Sequence, residues 1–197
     1  MKKTSLLVST ALFLFAGLVN AHGPVRAKMT ATITVDAPAA KVWDLIKNYD
    51  DMSWHPGIKS VKGEGTNNKG AIRTLTLTNG TITEELKAYD AAKMTYKYKI
   101  TDMSSTGTIK HAGRDESIPV LPVGNYAAEL SVTDKGGKAE VEWVATYYRA
   151  YVNNNPPAEL NEEAADKAVT NVLKSGLDAL AKKAGSSAAT VEIDIKR

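Results

Sequence analysis

Residues 27–35 alternate without interruption. Met29, Ala31, Ile33 and Val35 fall on one face and Lys28, Thr30, Thr32 and Thr34 on the other, the period of a half-buried strand. Asp36-Ala37-Pro38 then reads as a cap and helix start, with Val42, Trp43, Leu45 and Ile46 on the buried side. Residues 48–57 form a polar, aromatic-bearing link that ends in Trp54-His55-Pro56-Gly57. Strands are predicted over 58–65, 71–77, 81–89 and 94–100. Asn79-Gly80 makes a hairpin turn between two of them, because both residues tolerate positive φ. The stretch 101–119 reads as irregular. Two more strands, 125–132 and 139–148, flank Asp134-Lys135-Gly136-Gly137.

Pro156-Pro157 introduces a long helix, with Asn154 or Asn155 as its cap. Glu159, Glu162 and Glu163 lie early in it, Lys182 and Lys183 late, and Gly185 follows, an order that complements the helix dipole. Its apolar stripe is Leu160, Ala164, Ala168, Val169, Val172, Leu173, Gly176, Leu177 and Leu180. Gly176 costs roughly 1 kcal/mol of helix propensity against Ala, a sign of close packing or of room left for something else. Residues 190–197 alternate through Val191, Ile193 and Ile195, as an added strand or a loose tail. The order of elements implies an α+β domain in which a curved antiparallel sheet wraps one long C-terminal helix.

Ahead of the first strand the pattern changes. Lys2 and Lys3 precede an uncharged apolar run over 6–19, and Val19-Asn20-Ala21 supplies a small-residue cleavage site. Residues 1–21 therefore read as a secretory signal, 22–26 as a mobile N-terminus, 27–184 as one domain and 185–197 as the tail or extra strand. Cleavage places the protein in a periplasm, with no membrane segment remaining. It also takes the 25 basic side chains to 23 against 22 acidic ones, a balance unsuited to nucleic acid. The absence of cysteine excludes disulfides, thiolate metal sites and a Cys nucleophile.

Several segments together resemble a known family. Asp36-Ala37-Pro38-Ala39-Ala40-Lys41-Val42-Trp43 is similar to the opening of START-like (SRPBCC, polyketide cyclase/dehydrase-type) helix-grip domains. The segment from Asn48-Tyr49-Asp50 through Trp54-His55-Pro56-Gly57 resembles their second short helix and turn. Tyr96-Lys97-Tyr98, Leu121-Pro122-Val123-Gly124-Asn125-Tyr126 and Val141-Glu142-Trp143 resemble the later strands. The resemblance implies the helix-grip fold, which hosts lipid carriers, cyclases, receptors and accessory proteins alike. The signal followed by Ala21-His22-Gly23-Pro24 is similar to periplasmic members of the MxaD type. That likeness implies a non-enzymatic helper of a periplasmic redox system, a methanol dehydrogenase and its cytochrome. Residues 101–119 are longer than the group's pattern, and His111, Arg114, Asp115 and Glu116 there suit a partner-binding loop.

Candidate chemistry is sparse. By alternation, Tyr96, Tyr98, Tyr126, Trp143 and Tyr147 face inward, with Leu173 and Leu177 opposite them on the helix. They either fill a core or line a cavity for a hydrophobic small molecule. No cofactor is expected. The one metal reading is Cu(II) at a cleaved N-terminal His22, with His55 or His111 as a further nitrogen. Glu84 and Glu85, and likewise Glu162 and Glu163, are sequence neighbours that diverge in a strand or a helix, so neither pair makes a catalytic dyad. No phosphate loop, nucleophile elbow or His-Glu-x-x-His is present. A non-enzyme is the expectation, with cyclase or dehydratase activity ranked last.

Overall fold

A computed structural model describes residues 23–186 and 189–197. The predicted signal and His22 lie outside the described residues. The chain runs β1 (Ala27–Val35), α1 (Ala39–Ile46), β2 (Ser60–Glu64), β3 (Ile72–Thr76), β4 (Thr81–Asp90), β5 (Thr95–Met103), β6 (Ser105–His111), β7 (Arg114–Pro119), β8 (Val123–Asp134), β9 (Ala139–Arg149), α2 (Glu162–Ala184) and β10 (Glu192–Lys196). Eight strands form one antiparallel sheet in the order β10-β1-β9-β8-β5-β4-β3-β2, and β6 and β7 form a second of two strands. This is the α+β helix-grip architecture, with the curved sheet closed over α2.

The alternation of β1 translates directly into packing. Met29, Ala31, Ile33 and Val35 are fully buried, as are Val169, Leu173, Leu177 and Leu180 of α2. Each such large side chain contributes roughly 1.5–3 kcal/mol relative to exposure. Tyr147 ties the layers together, its hydroxyl donating to Asp166 Oδ1 of α2 at 2.8 Å. β10 pairs antiparallel with β1, Met29 opposite Ile195, so the tail is an added strand.

Five details differ from the sequence reading. Pro38 occupies the cap of α1 with no side-chain cap bond, and Asp36 lies 3.6 Å from Lys138 instead. Residues 48–57 form turns without a short helix. The extended Pro157 backbone feeds one 3₁₀ turn, Ala158–Leu160, and Asn161 then caps α2 by accepting from Ala164 N–H at 2.8 Å. The stretch 101–119 is largely a hairpin, with β6 and β7 joined through Ala112 and Gly113 at φ 48° and 77°. The Asn79-Gly80 turn closes through Leu77 N–H to Gly80 C=O at 2.8 Å, but neither residue has positive φ. Gly80 is needed for space, since a Cβ there would meet Ser104 Oγ at 2.3 Å. Among the described residues no helix is long and apolar enough to cross a membrane.

Candidate functional site

The sheet and α2 leave a cavity of about 190 Å³ between them. Leu75, Ile82, Ile100 and Leu121 supply its apolar wall, and Val172 and Ser175 of α2 cover it. Its polar groups come from Glu84, Tyr98, Tyr126, His55 and Asn171.

Glu84 reaches the cavity because it sits between Ile82 and Leu86 on the inward face of β4, all three buried. Arg73 is its cross-strand partner on β3. The guanidinium Nε donates to Glu84 Oε2 at 2.6 Å, and Nη1 donates to the Tyr49 carbonyl at 2.6 Å. The guanidinium also lies 4.1 Å from the Tyr49 ring centre and 5.0 Å from that of Tyr98, distances at which a cation is attracted to the ring face. Burial pushes the Glu84 carboxyl above its ordinary range, against the pull of Arg73. Its second oxygen has no protein hydrogen-bond partner among the described residues. This carboxylate is the group of the lining best placed to accept a hydrogen bond or a proton from a guest.

The two cavity tyrosines are neutral donors. Burial raises Tyr98 well above the ordinary phenol value, with Tyr126 and Glu84 adding to it, and burial followed by Glu84 does the same for Tyr126. Tyr98 also accepts from the Trp143 indole N–H at 2.9 Å, which fixes both rings. Neither hydroxyl ionises at physiological pH.

His55 is buried beneath α2. Gly57 N–H donates to Nδ1 at 3.1 Å, so the ring proton sits on Nε2, which donates to the Val172 carbonyl at 3.0 Å. Burial lowers the His55 pKa, the Val172 bond opposes that shift, and the charge of Arg73 adds to it. With both nitrogens engaged the ring is a clasp between the 52–58 loop and α2. Gly176 makes the clasp fit: a Cβ there would lie 2.6 Å from the His55 ring and 2.8 Å from that of Trp143.

Of the seven residues expected at the cavity, Tyr98, Tyr126 and Trp143 line it. Tyr96, Tyr147, Leu173 and Leu177 are buried outside its lining. Tyr96 packs against Trp43 and Tyr49, with its pKa pushed up to about 12 by burial. Leu173 and Leu177 lie at the centre of the α2 stripe and meet the core, whereas Asn171, Val172 and Ser175 on its flank reach the cavity. His111 lies on the hairpin, its Nε2 2.7 Å from the Asn155 carbonyl and its ring edge-on to Tyr151 at 5.2 Å. Arg114 and Asp115 are exposed and Glu116 is half-buried on β7. Among the described residues no three His, Asp or Glu side chains gather as a metal site. The sequence reading weighed Glu84 only beside Glu85 and missed its pairing with Arg73, although the spacing Ile82-Glu84-Leu86 already sets that carboxylate on an apolar face.

The sequence pattern of the family described as "Polyketide cyclase / dehydrase and lipid transport" matches residues 26–185. The chain belongs to this family. The matched span contains every residue that lines the cavity described above. No curated protein matches the chain. Among solved structures it is similar to the protein XoxI of Bacillus cereus, with 23% identity over 79% of this chain and 94% of that one, at a TM-score of 0.60. A protein of Nitrosospira multiformis shares 25% identity over 79% and 94%, at 0.57. Norcoclaurine synthase of Thalictrum flavum, solved in complex with dopamine and hydroxybenzaldehyde, shares 16% identity over 92% and 96%, also at 0.57. The family and this fold therefore include enzymes as well as carriers.

Proposed function

We propose that the protein is a binding protein for a small, largely apolar molecule that carries one hydrogen-bond donor. The observation behind this reading is the Glu84 oxygen that has no hydrogen-bond partner among the described residues, at the wall of a largely apolar cavity. A dry cavity of about 150 Å³ holds benzene, so about 190 Å³ suits one ring with short substituents. The paired charges of Arg73 and Glu84 cancel. A neutral O–H or N–H facing Glu84 gains a charge-assisted bond without adding an unpaired buried charge. The complex of norcoclaurine synthase with phenolic molecules accords with a guest of this kind in the same fold.

Isothermal titration of 4-ethylphenol against its methyl ether tests the reading. The phenol is expected to bind about tenfold more tightly, as one hydrogen bond to a charged group implies. Val172→Trp places an indole in the cavity and abolishes uptake of both. Uptake surviving in folded Val172→Trp protein overturns the proposal.

A second reading, an exported accessory protein of a redox enzyme system, draws on the predicted signal and on the hairpin. Arg114 and Asp115 stand exposed near its tip, a surface suited to a protein partner. Shortening 105–119 to a tight turn should abolish co-purification with a periplasmic redox enzyme and leave 4-ethylphenol binding intact. Unchanged co-purification overturns it.

A further inference from the structure

The β6–β7 hairpin is inserted where β5 and β8 part company. These strands pair only through Thr95–Lys99 against Ala127–Ser131. Beyond that point each is held by its other neighbour. Met103 and Asp102 stay in register with Ile82 and Thr83 of β4, and Ser104 bonds to Thr81 through both its backbone N–H and its hydroxyl. Val123 and Gly124 follow β9, opposite Arg149 and Tyr148, and β8 bulges before Ala127. Asn125 within the bulge has φ 49°, a left-handed backbone costing about 1 kcal/mol or more for a residue with a side chain.

The split leaves a groove of about 450 Å³. Thr101 and Asp102 form one wall, Asn125 the other, and Ser117 of β7 reaches in. Two residues, Ile100 and Tyr126, belong to both this groove and the apolar cavity. Ile100 is moreover the ladder partner of Glu84, so a residue that borders the groove sits directly across the ladder from the carboxylate that faces the cavity.

We infer that the groove receives the polar head of the guest whose ring occupies the cavity, which makes that guest an amphiphile with a cationic or uncharged head. The inference rests on the cavity reading above. Asp102 is the one charged residue in the groove lining, and no Lys or Arg is there to receive an anion. A carboxylate head is therefore disfavoured by repulsion and desolvation. A guest long enough to span both spaces displaces the Tyr126 or Ile100 side chain that partitions them.

A matched phenol series tests this by titration. 4-Ethylphenol has no head, tyramine has a cationic one, 4-(2-hydroxyethyl)phenol a neutral one and 3-(4-hydroxyphenyl)propanoate an anionic one. Tyramine is expected to bind at least tenfold more tightly than the propanoate. Thr101→Trp fills the groove and weakens tyramine about tenfold while leaving 4-ethylphenol within twofold, which also reports that the variant is folded. In the unsubstituted protein, tyramine shifts the amide resonances of Asp102 and Asn125 and 4-ethylphenol does not, a readout independent of the variant's folding. Equal binding of tyramine and the propanoate, or no shift at Asp102 and Asn125, overturns the groove assignment alone. Failure of 4-ethylphenol to bind overturns the cavity reading and the groove with it.

Discussion

Arg73 and Glu84 face each other across the β3–β4 ladder with both side chains on the buried face, 2.6 Å apart and almost without solvent contact. Removing one partner leaves an uncompensated buried charge, which costs about 3–5 kcal/mol, whereas replacing both with apolar residues is often nearly neutral. Arg73→Met should therefore be strongly destabilised in urea titration, and Arg73→Met/Glu84→Leu should recover most of that loss. The double variant should also lose the preference for 4-ethylphenol over its ether. A double variant as unstable as the single one contradicts the assignment.

Gly176 sits in the middle of α2, where Ala normally stabilises by about 1 kcal/mol. Here the added methyl runs into two rings that are themselves pinned, His55 by Val172 and Trp143 by Tyr98. Gly176→Ala should lower stability by about 1–3 kcal/mol, the usual range for an overpacked core. A shifted urea midpoint with an unchanged slope is the expected signature.

The His55 clasp gives a pH dependence of definite sign. The folded-state pKa lies below the ordinary value of about 6.5 because the buried ring is held neutral. Above about pH 6.5 neither state is protonated and the residue contributes no slope. As pH falls below that value the unfolded chain takes up the proton first, and stability drops until the folded pKa is reached, by at most about 1.4 kcal/mol per pH unit. His55→Asn should flatten this part of the profile between pH 6.5 and 5. An unchanged slope assigns the effect to other groups.

Tyr98→Phe deletes the acceptor of the Trp143 indole N–H inside the core. An orphaned buried donor costs about 1–3 kcal/mol. Equilibrium unfolding should show that loss, and the Trp143 indole N–H proton should exchange faster than in the parent protein. Protection that survives the substitution argues against this bond.

The sequence carried the fold wherever one face of an element is apolar and the other polar. β1 appears at its predicted bounds, and the β8–β9 hairpin and the body of α2 follow the same contrast. The β6–β7 hairpin was invisible for the opposite reason. Thr106, Thr108 and Lys110 on β6, with Asp115 and Ser117 on β7, are exposed, so its alternation has no hydrophobic partner face to reveal it. The cavity was half legible. Inward alternation reaches Tyr98, Tyr126 and Trp143, but a helical stripe does not say which edge abuts an empty space, and Val172 displaced Leu173 there. The Arg73–Glu84 pair went unread because it is made by the β3–β4 register, which pairs residues 11 apart.

β1 lies in the sheet between β9 and β10, with Ala31 opposite Trp143 on one side and Ile193 on the other. Both neighbours come from more than a hundred residues further along the chain. Loops of that length must close before the apolar face of β1 is covered, which places the protein among slow, high-contact-order folders, on the scale of milliseconds to seconds. Until β9 arrives, Met29, Ile33 and Val35 form a bare strand open to aggregation, and a holding chaperone would find its binding segment there.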